Sequence, residues 1–323
     1  MLLKGMIRSR TLWALLIIFM ILLLLPGLIP EFYVYIAGAM LVTGLLAMSL
    51  NMVIGHGGMY QFHHGVFYGM GAYTSALVLV KTALPWWVAF AAGPLAATIL
   101  GLLIGSFCVR LSKLYYGMLQ ISLGSLVWAV AFRWYSFTGG DDGIHGIPTP
   151  EFLAPTINTY YFIFAVVGIS LILMFLIHKS AYGMMLRAIR DNPQRCEAIG
   201  INVRRHQLLG IVIATFFAGV AGVLFVVVEH SVFPDLLLWV FSLELFIMCL
   251  LGGWFTFAGP MVGACLVIGL RTFASMYTDY WTMILGVILI VFLFFVPEGL
   301  LGHVLKRYPG LATESSGKGH DRC

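Results

Sequence analysis

About ten apolar runs, most of them near 20 residues long and separated by short polar joints, fill this chain from residue 11 to residue 296. They lie at 11–29, 33–54, 60–80, 86–109, 116–137, 161–177, 208–228, 239–251, 259–276 and 281–296. About 20 apolar residues in an α-helix cross about 30 Å of hydrocarbon. Hydrocarbon offers nothing to an unpaired backbone N–H or C=O, so runs of this length fold as helices. Only 10% of the residues are charged, against about a quarter in an ordinary soluble domain. The expected fold class is therefore all-α: a polytopic membrane protein of about ten transmembrane helices with broken or re-entrant segments. The run at 239–251 is short and is expected to be re-entrant or broken. Residues 1–308 read as one membrane domain, and residues 309–323, rich in Gly, Ser and Thr, as a flexible cytoplasmic tail.

Charge placement orients the bundle. The first run follows a basic leader with Lys4, Arg8 and Arg10, but meets Pro26, Pro30 and Glu31 in place of a small-residue cleavage site. It reads as a retained span. With the N-terminus inside and ten alternating crossings, all but Lys81, Arg133 and Arg271 of the 18 Lys and Arg residues fall on the inner side. That asymmetry is the positive-inside pattern of a multi-pass membrane protein with both termini cytoplasmic. It also accounts for the net charge of +5 better than a nucleic-acid partner does. Membrane lipid is the surrounding partner, and the Trp and Tyr residues at 86, 87, 160, 161, 239, 280 and 281 match an interfacial belt. The five cysteines are scattered, with neither metal-ligand spacing nor a disulfide framework.

One inner loop, residues 178–207, is long, polar and basic. Asn192 suits an N-cap, Pro193 the first helical position, and Gly200 a left-handed residue that ends a helix. These predict one short helix over 193–199, about 10 Å long. A capped helix held on a basic face is a docking element for a cytoplasmic partner. Its candidate residues are Arg187, Arg190, Asp191, Asn192, Pro193, Glu197, Gly200 and Asn202.

Glycines crowd the 55–73 segment, and a second interruption occupies 252–260. Dense glycine at membrane depth marks a broken helix whose freed backbone lines a cavity. Both segments carry Gly-Gly-x-x-x-Phe, a match that an internal repeat or the abundance of glycine explains about equally well. Polar side chains at this depth are candidates to line a pathway: Asn51, Tyr60, Gln61, Gln120, Glu244 and Thr256. Contact between helices is the commoner role for the uncharged ones. Glu244 must be paired, protonated or facing a cavity, because a bare carboxylate there is costly. His56, His63 and His64 have no carboxylate or cysteine beside them, so no metal site is expected. No Walker phosphate loop, H-E-x-x-H or G-x-S-x-G is present, so no catalytic residue and no bound cofactor is expected.

Taken together, these segments resemble the permeases of bacterial branched-chain amino-acid ABC importers, in particular the LivM-type subunit. The matching stretches are Asn51 with residues 55–73, Arg110-Leu111, 115–123, 138–148, 188–193 with 198–203, 218–222, 251–253 and 259–264. The resemblance implies a translocation role and a second homologous permease of the LivH type as partner. It also implies two cytoplasmic ATP-binding subunits that hydrolyse the ATP and dock on the inner loop, and a periplasmic substrate-binding protein. It implies no enzyme activity in this chain. Two segments depart from the family pattern: Met59-Tyr-Gln-Phe-His63 and Trp254-Phe-Thr-Phe257 are bulkier than the family's usual residues there. The family also carries urea, amides and aromatic acids, so a cargo other than leucine-like amino acids stays open. An ion- or proton-coupled secondary transporter, with Glu244 as its coupling residue, is the alternative from another class.

Overall fold

The computed structural model describes residues 20–111, 113–277 and 299–307, with residues 280, 283, 284, 286–288 and 290. The basic leader, most of the tenth run and the expected tail at 309–323 lie outside the described residues. The helices follow the apolar runs: α1 Glu31–Asn51, α2 Gly65–Lys81, α3 Trp86–Cys108, α4 Lys113–Arg133 and α5 Thr156–Lys179. Then come α6 Ala181–Asp191, α7 Pro193–Ala198, α8 Val203–Glu229, α9 Trp239–Gly252, α10 Gly259–Ser275 and α11 Leu300–Arg307. Among the described residues, five stretches are long and apolar enough to cross a membrane: α1 with the turn that follows it, α3, α4, α5 and α8. The shorter α9 and α10 are apolar as well.

Small residues bring the helices together, as they must where lipid supplies no hydrophobic drive. The 27-residue α8 packs along α2, α3 and α1. At Gly222 the backbone of α2 comes so close that an added Cβ would lie 2.9 Å from the Ala72 nitrogen. The α9–α10 hairpin packs against the other side of α1, which therefore lies at the centre.

The bundle has two ends. At one, strands β1 (Ile144–His145) and β2 (Ser231–Val232) pair antiparallel, Tyr35 hydrogen-bonds Glu229, and Lys81 Nζ donates to the carbonyls of Ser136 (2.9 Å) and Phe137 (2.7 Å). At the other end the 178–202 segment meets Gly55 and Phe255.

Three expectations need revision. The run at 60–80 is helical only from Gly65, because residues 57–64 leave the helix. There His63 and His64 take tertiary hydrogen-bond partners. The run at 116–137 ends as a helix at Arg133, with Tyr135–Thr138 a separate turn. The inner loop holds two helices, α6 and α7, where one was expected, and α7 stops at Ala198 with Ile199 as its cap.

Candidate functional site

The inner loop is built from local caps. Ser180 Oγ accepts from Gly183 N (3.3 Å) and starts α6, which buries Gly183, Leu186 and Ile189. Asn192 ends α6 and starts α7: its Oδ1 accepts from Arg195 N at 3.0 Å, with Pro193 in the first turn. Beyond α7, Gly200 takes φ +88°. Gly200 N donates to the Glu197 carbonyl and Ile201 N to the Cys196 carbonyl, both at 3.0 Å, the paired bonds of a Schellman cap. Asn202 Oδ1 accepts from Arg205 N (3.1 Å) and starts α8. Ile189, Cys196 and Val203 bury together with Met185 and Ile201 beside them. The loop is thus a folded unit, and Arg195, Glu197, Ile199 and Gly200 form its exposed tip.

Two arginines fasten this unit to the membrane bundle. Arg190 Nη1 donates to the Gly55 carbonyl at 2.6 Å, and its guanidinium lies 5.3 Å from the Phe255 ring centre. Its Nε and Nη2 hold Asp191 Oδ1 at 3.0 and 2.9 Å. Arg187 Nη1 donates to the His178 carbonyl (3.1 Å) beside the His178 ring, which packs 4.4 Å from the ring of His56. Burial, then the charge of Arg190, lowers the Arg187 pKa, with Asp191 opposing; a guanidinium stays a cation throughout. Burial raises that of Tyr182, whose hydroxyl donates to the His206 carbonyl at 2.8 Å.

The two glycine-rich interruptions meet at this junction. In each Gly-Gly-x-x-x-Phe the second glycine has positive φ, +66° at Gly58 and +107° at Gly253; Gly253 directly follows α9, and Gly58 is separated by one residue from the Met52–His56 turn. Gly55 lies against the Trp254 carbonyl, and Asn51 Nδ2 donates to the Thr256 carbonyl at 3.2 Å. Beside them is a cavity of about 20 Å³ lined by Asn51, His56, His178 and Phe257, which is room for about one water. Asn51 Oδ1 and His56 Nδ1 are buried there without a hydrogen-bond partner.

Above the junction the 57–64 segment is held by polar side chains. Gln61 Nε2 donates to His64 Nδ1 (2.7 Å), His64 Nε2 to Ser49 Oγ (2.8 Å), and Ser49 Oγ to the Leu46 carbonyl (2.7 Å). His63 Nε2 donates to the Leu237 carbonyl at 2.7 Å, where the segment before α9 folds back into the bundle. The three imidazoles thus go to three different places. No group of three His, Cys, Asp or Glu able to hold a metal occurs among the described residues.

Of the six pathway candidates, Tyr60 is the most open, at 39% exposure. Asn51, Gln61 and Gln120 are buried, each with an amide oxygen that has no partner. Thr256 is half-buried within the second break, and Glu244 lies 3.8 Å from Arg271 across the α9–α10 hairpin. Sequence reasoning missed His178, Phe255 and the whole of α6. Ser180 followed by the apolar spacing of Met185, Leu186 and Ile189 was the available signal for α6.

Comparison with known proteins agrees with this architecture. Residues 32–293 match the family model described as "Branched-chain amino acid transport system / permease component". The chain is 25% identical to the high-affinity branched-chain amino acid transport system permease protein LivM of Escherichia coli (strain K12), over 85% of this chain and 71% of that protein. It is 23% identical to the probable LivM permease of Methanocaldococcus jannaschii, over 82% of each. A LivH permease of Salmonella typhimurium is 26% identical over 80% of this chain and 90% of its own. No solved structure matches. A family model that spans most of the chain, on a helical bundle broken at two glycine-rich segments, places this protein in the branched-chain amino acid transport permease family.

Proposed function

We propose that the chain is one of two related permeases in an ATP-driven importer of a bacterial inner membrane, with both termini cytoplasmic. Its cargo is a branched-chain amino acid or a related small amino acid, amide or carboxylate. A LivH-type permease completes the pathway, a periplasmic binding protein delivers the solute, and two cytoplasmic ATPases bind and hydrolyse the ATP. This chain binds no cofactor.

The observation that carries the reading is the capped α6–α7 unit, fastened by Arg190 to both helix breaks. A rigid basic element with an exposed tip suits docking to a soluble partner, and its seat on interrupted backbone suits transmission to a pathway. Asn192, Pro193, Glu197, Gly200 and Asn202 form the docking element, while Arg187, Arg190 and Asp191 lie behind it and seat it on the bundle without touching the partner. Tyr60 and Thr256 lie on the two broken segments, and the orphan amide oxygens of Asn51, Gln61 and Gln120 are acceptors available to water or solute when those segments part. Glu244, paired with Arg271, is structural or gating. The bulky Tyr60 and Trp254, one on each broken segment, are where cargo preference is set.

The test is co-expression of an affinity-tagged chain with a LivH-type permease and the ATPases of neighbouring reading frames. The ATPases are expected to copurify in detergent. A complex that retains the second permease but never the ATPases contradicts the reading.

A further inference from the structure

Three parts of the molecule converge on Arg190. The last carbonyls of a helix have no partner inside it, and the Gly55 carbonyl belongs to the final turn, Met52–His56, of the α1 stretch. Arg190 supplies its donor from 135 residues away. A cation at a helix C-terminus is also favoured by the helix dipole. The same guanidinium faces the Phe255 ring of the second break and grips Asp191, next to the Asn192 hinge between α6 and α7. The stem of Arg190 packs so tightly on Gly58 that a Cβ there would lie 2.6 Å from Arg190 Cγ. Arg187 differs: its partner, His178, ends the adjacent α5, so Arg187 anchors α6 without reaching either break.

We infer that Arg190 is the positioning residue that carries movement of the α6–α7 unit into the two helix breaks. The inference rests on the reading that α6–α7 engages the ATPases. A planar fork that bonds a carbonyl and a carboxylate while stacking on a ring is specific to arginine, so lysine does not replace it.

The experiment compares Arg190→Met with the parent in the complete transporter reconstituted in lipid vesicles. It reads ATPase retention, ATP hydrolysis and leucine moved per ATP. Arg190→Met is expected to retain the ATPases and to keep hydrolysis within about twofold, while solute moved per ATP falls at least about tenfold, within the usual range of coupling between sites. Arg190→Lys is expected to show the same pattern, and it stands in if the methionine variant does not fold. An unchanged ratio of solute to ATP overturns the inference. So does loss of the ATPases from the Arg190 variants alone, which would make the residue part of the docking surface. If the parent itself retains no ATPase, the docking reading fails, and this inference with it.

Discussion

Asn51 and Thr256 are 205 residues apart, yet the Asn51 side chain donates to the Thr256 carbonyl at 3.2 Å and joins the two helix breaks. Asn51 is buried and Thr256 half-buried, so the bond is largely shielded from bulk water. Asn51→Asp keeps the shape but replaces the donor with an acceptor that faces a carbonyl. Leaving such a group unsatisfied costs about 1–3 kcal/mol. The variant is expected to unfold at lower temperature and to transport poorly while the proposed ATPases still copurify. Wild-type melting and uptake would show that the breaks do not depend on this bond.

Gly200 tests the docking unit. Its φ of +88° suits glycine, and an added Cβ would meet no atom within 4 Å, so any effect of substitution comes from the backbone and not from a clash. A left-handed conformation costs a residue with a side chain about 1–2 kcal/mol, more for a β-branched one. Gly200→Val is expected to distort the cap after α7 and reduce ATPase copurification, with membrane insertion unchanged. Normal copurification and normal uptake would remove α7 from the docking surface.

Two glycines separate close packing from mere helix propensity. Gly222 of α8 lies against the α2 backbone, whereas a Cβ at Gly168 of α5 would meet nothing within 4 Å. Gly222→Ala is expected to destabilise by about 1–3 kcal/mol through overpacking. Gly168→Ala is expected to be neutral or stabilising by up to about 1 kcal/mol, because alanine is the better helix former. Thermal unfolding in detergent ranks the two, and equal melting points would refute the packing role of Gly222.

What could be read from the chain is what is decided locally. The Asn192 cap and the Gly200 turn each depend on partners within a few residues, so residue type and spacing suffice. The long apolar helices were legible as elements, though not in every boundary, because length and apolarity mark them. The contact of Arg190 with Gly55 was not legible, since two segments 135 residues apart must fold before the carbonyl has a donor. The late start of α2 has the same origin: His63 and His64 are committed to Leu237 and Ser49. α6 did leave a local signal, since Ser180 and then Met185, Leu186 and Ile189 make a capped apolar stripe in an otherwise polar loop, but the stronger cap at Asn192-Pro193 drew the one expected helix to the residues after it. The Gly-Gly-x-x-x-Phe pair acquires meaning only when Gly58 and Gly253 are both found at positive φ.

Energy source is the most direct test of the central claim. The chain is reconstituted with the proposed LivH-type permease, ATPases and binding protein in vesicles loaded with ATP. Initial uptake of leucine, isoleucine and valine is then measured with and without a protonophore. Small amides and carboxylates serve as competitors. Uptake is expected to need ATP, to survive the protonophore nearly intact, and to persist at least in part in Glu244→Gln, because on this account ATP, and not an ion carried by Glu244, supplies the drive. Uptake that proceeds without ATP, collapses with the proton gradient and is lost in Glu244→Gln would contradict the account.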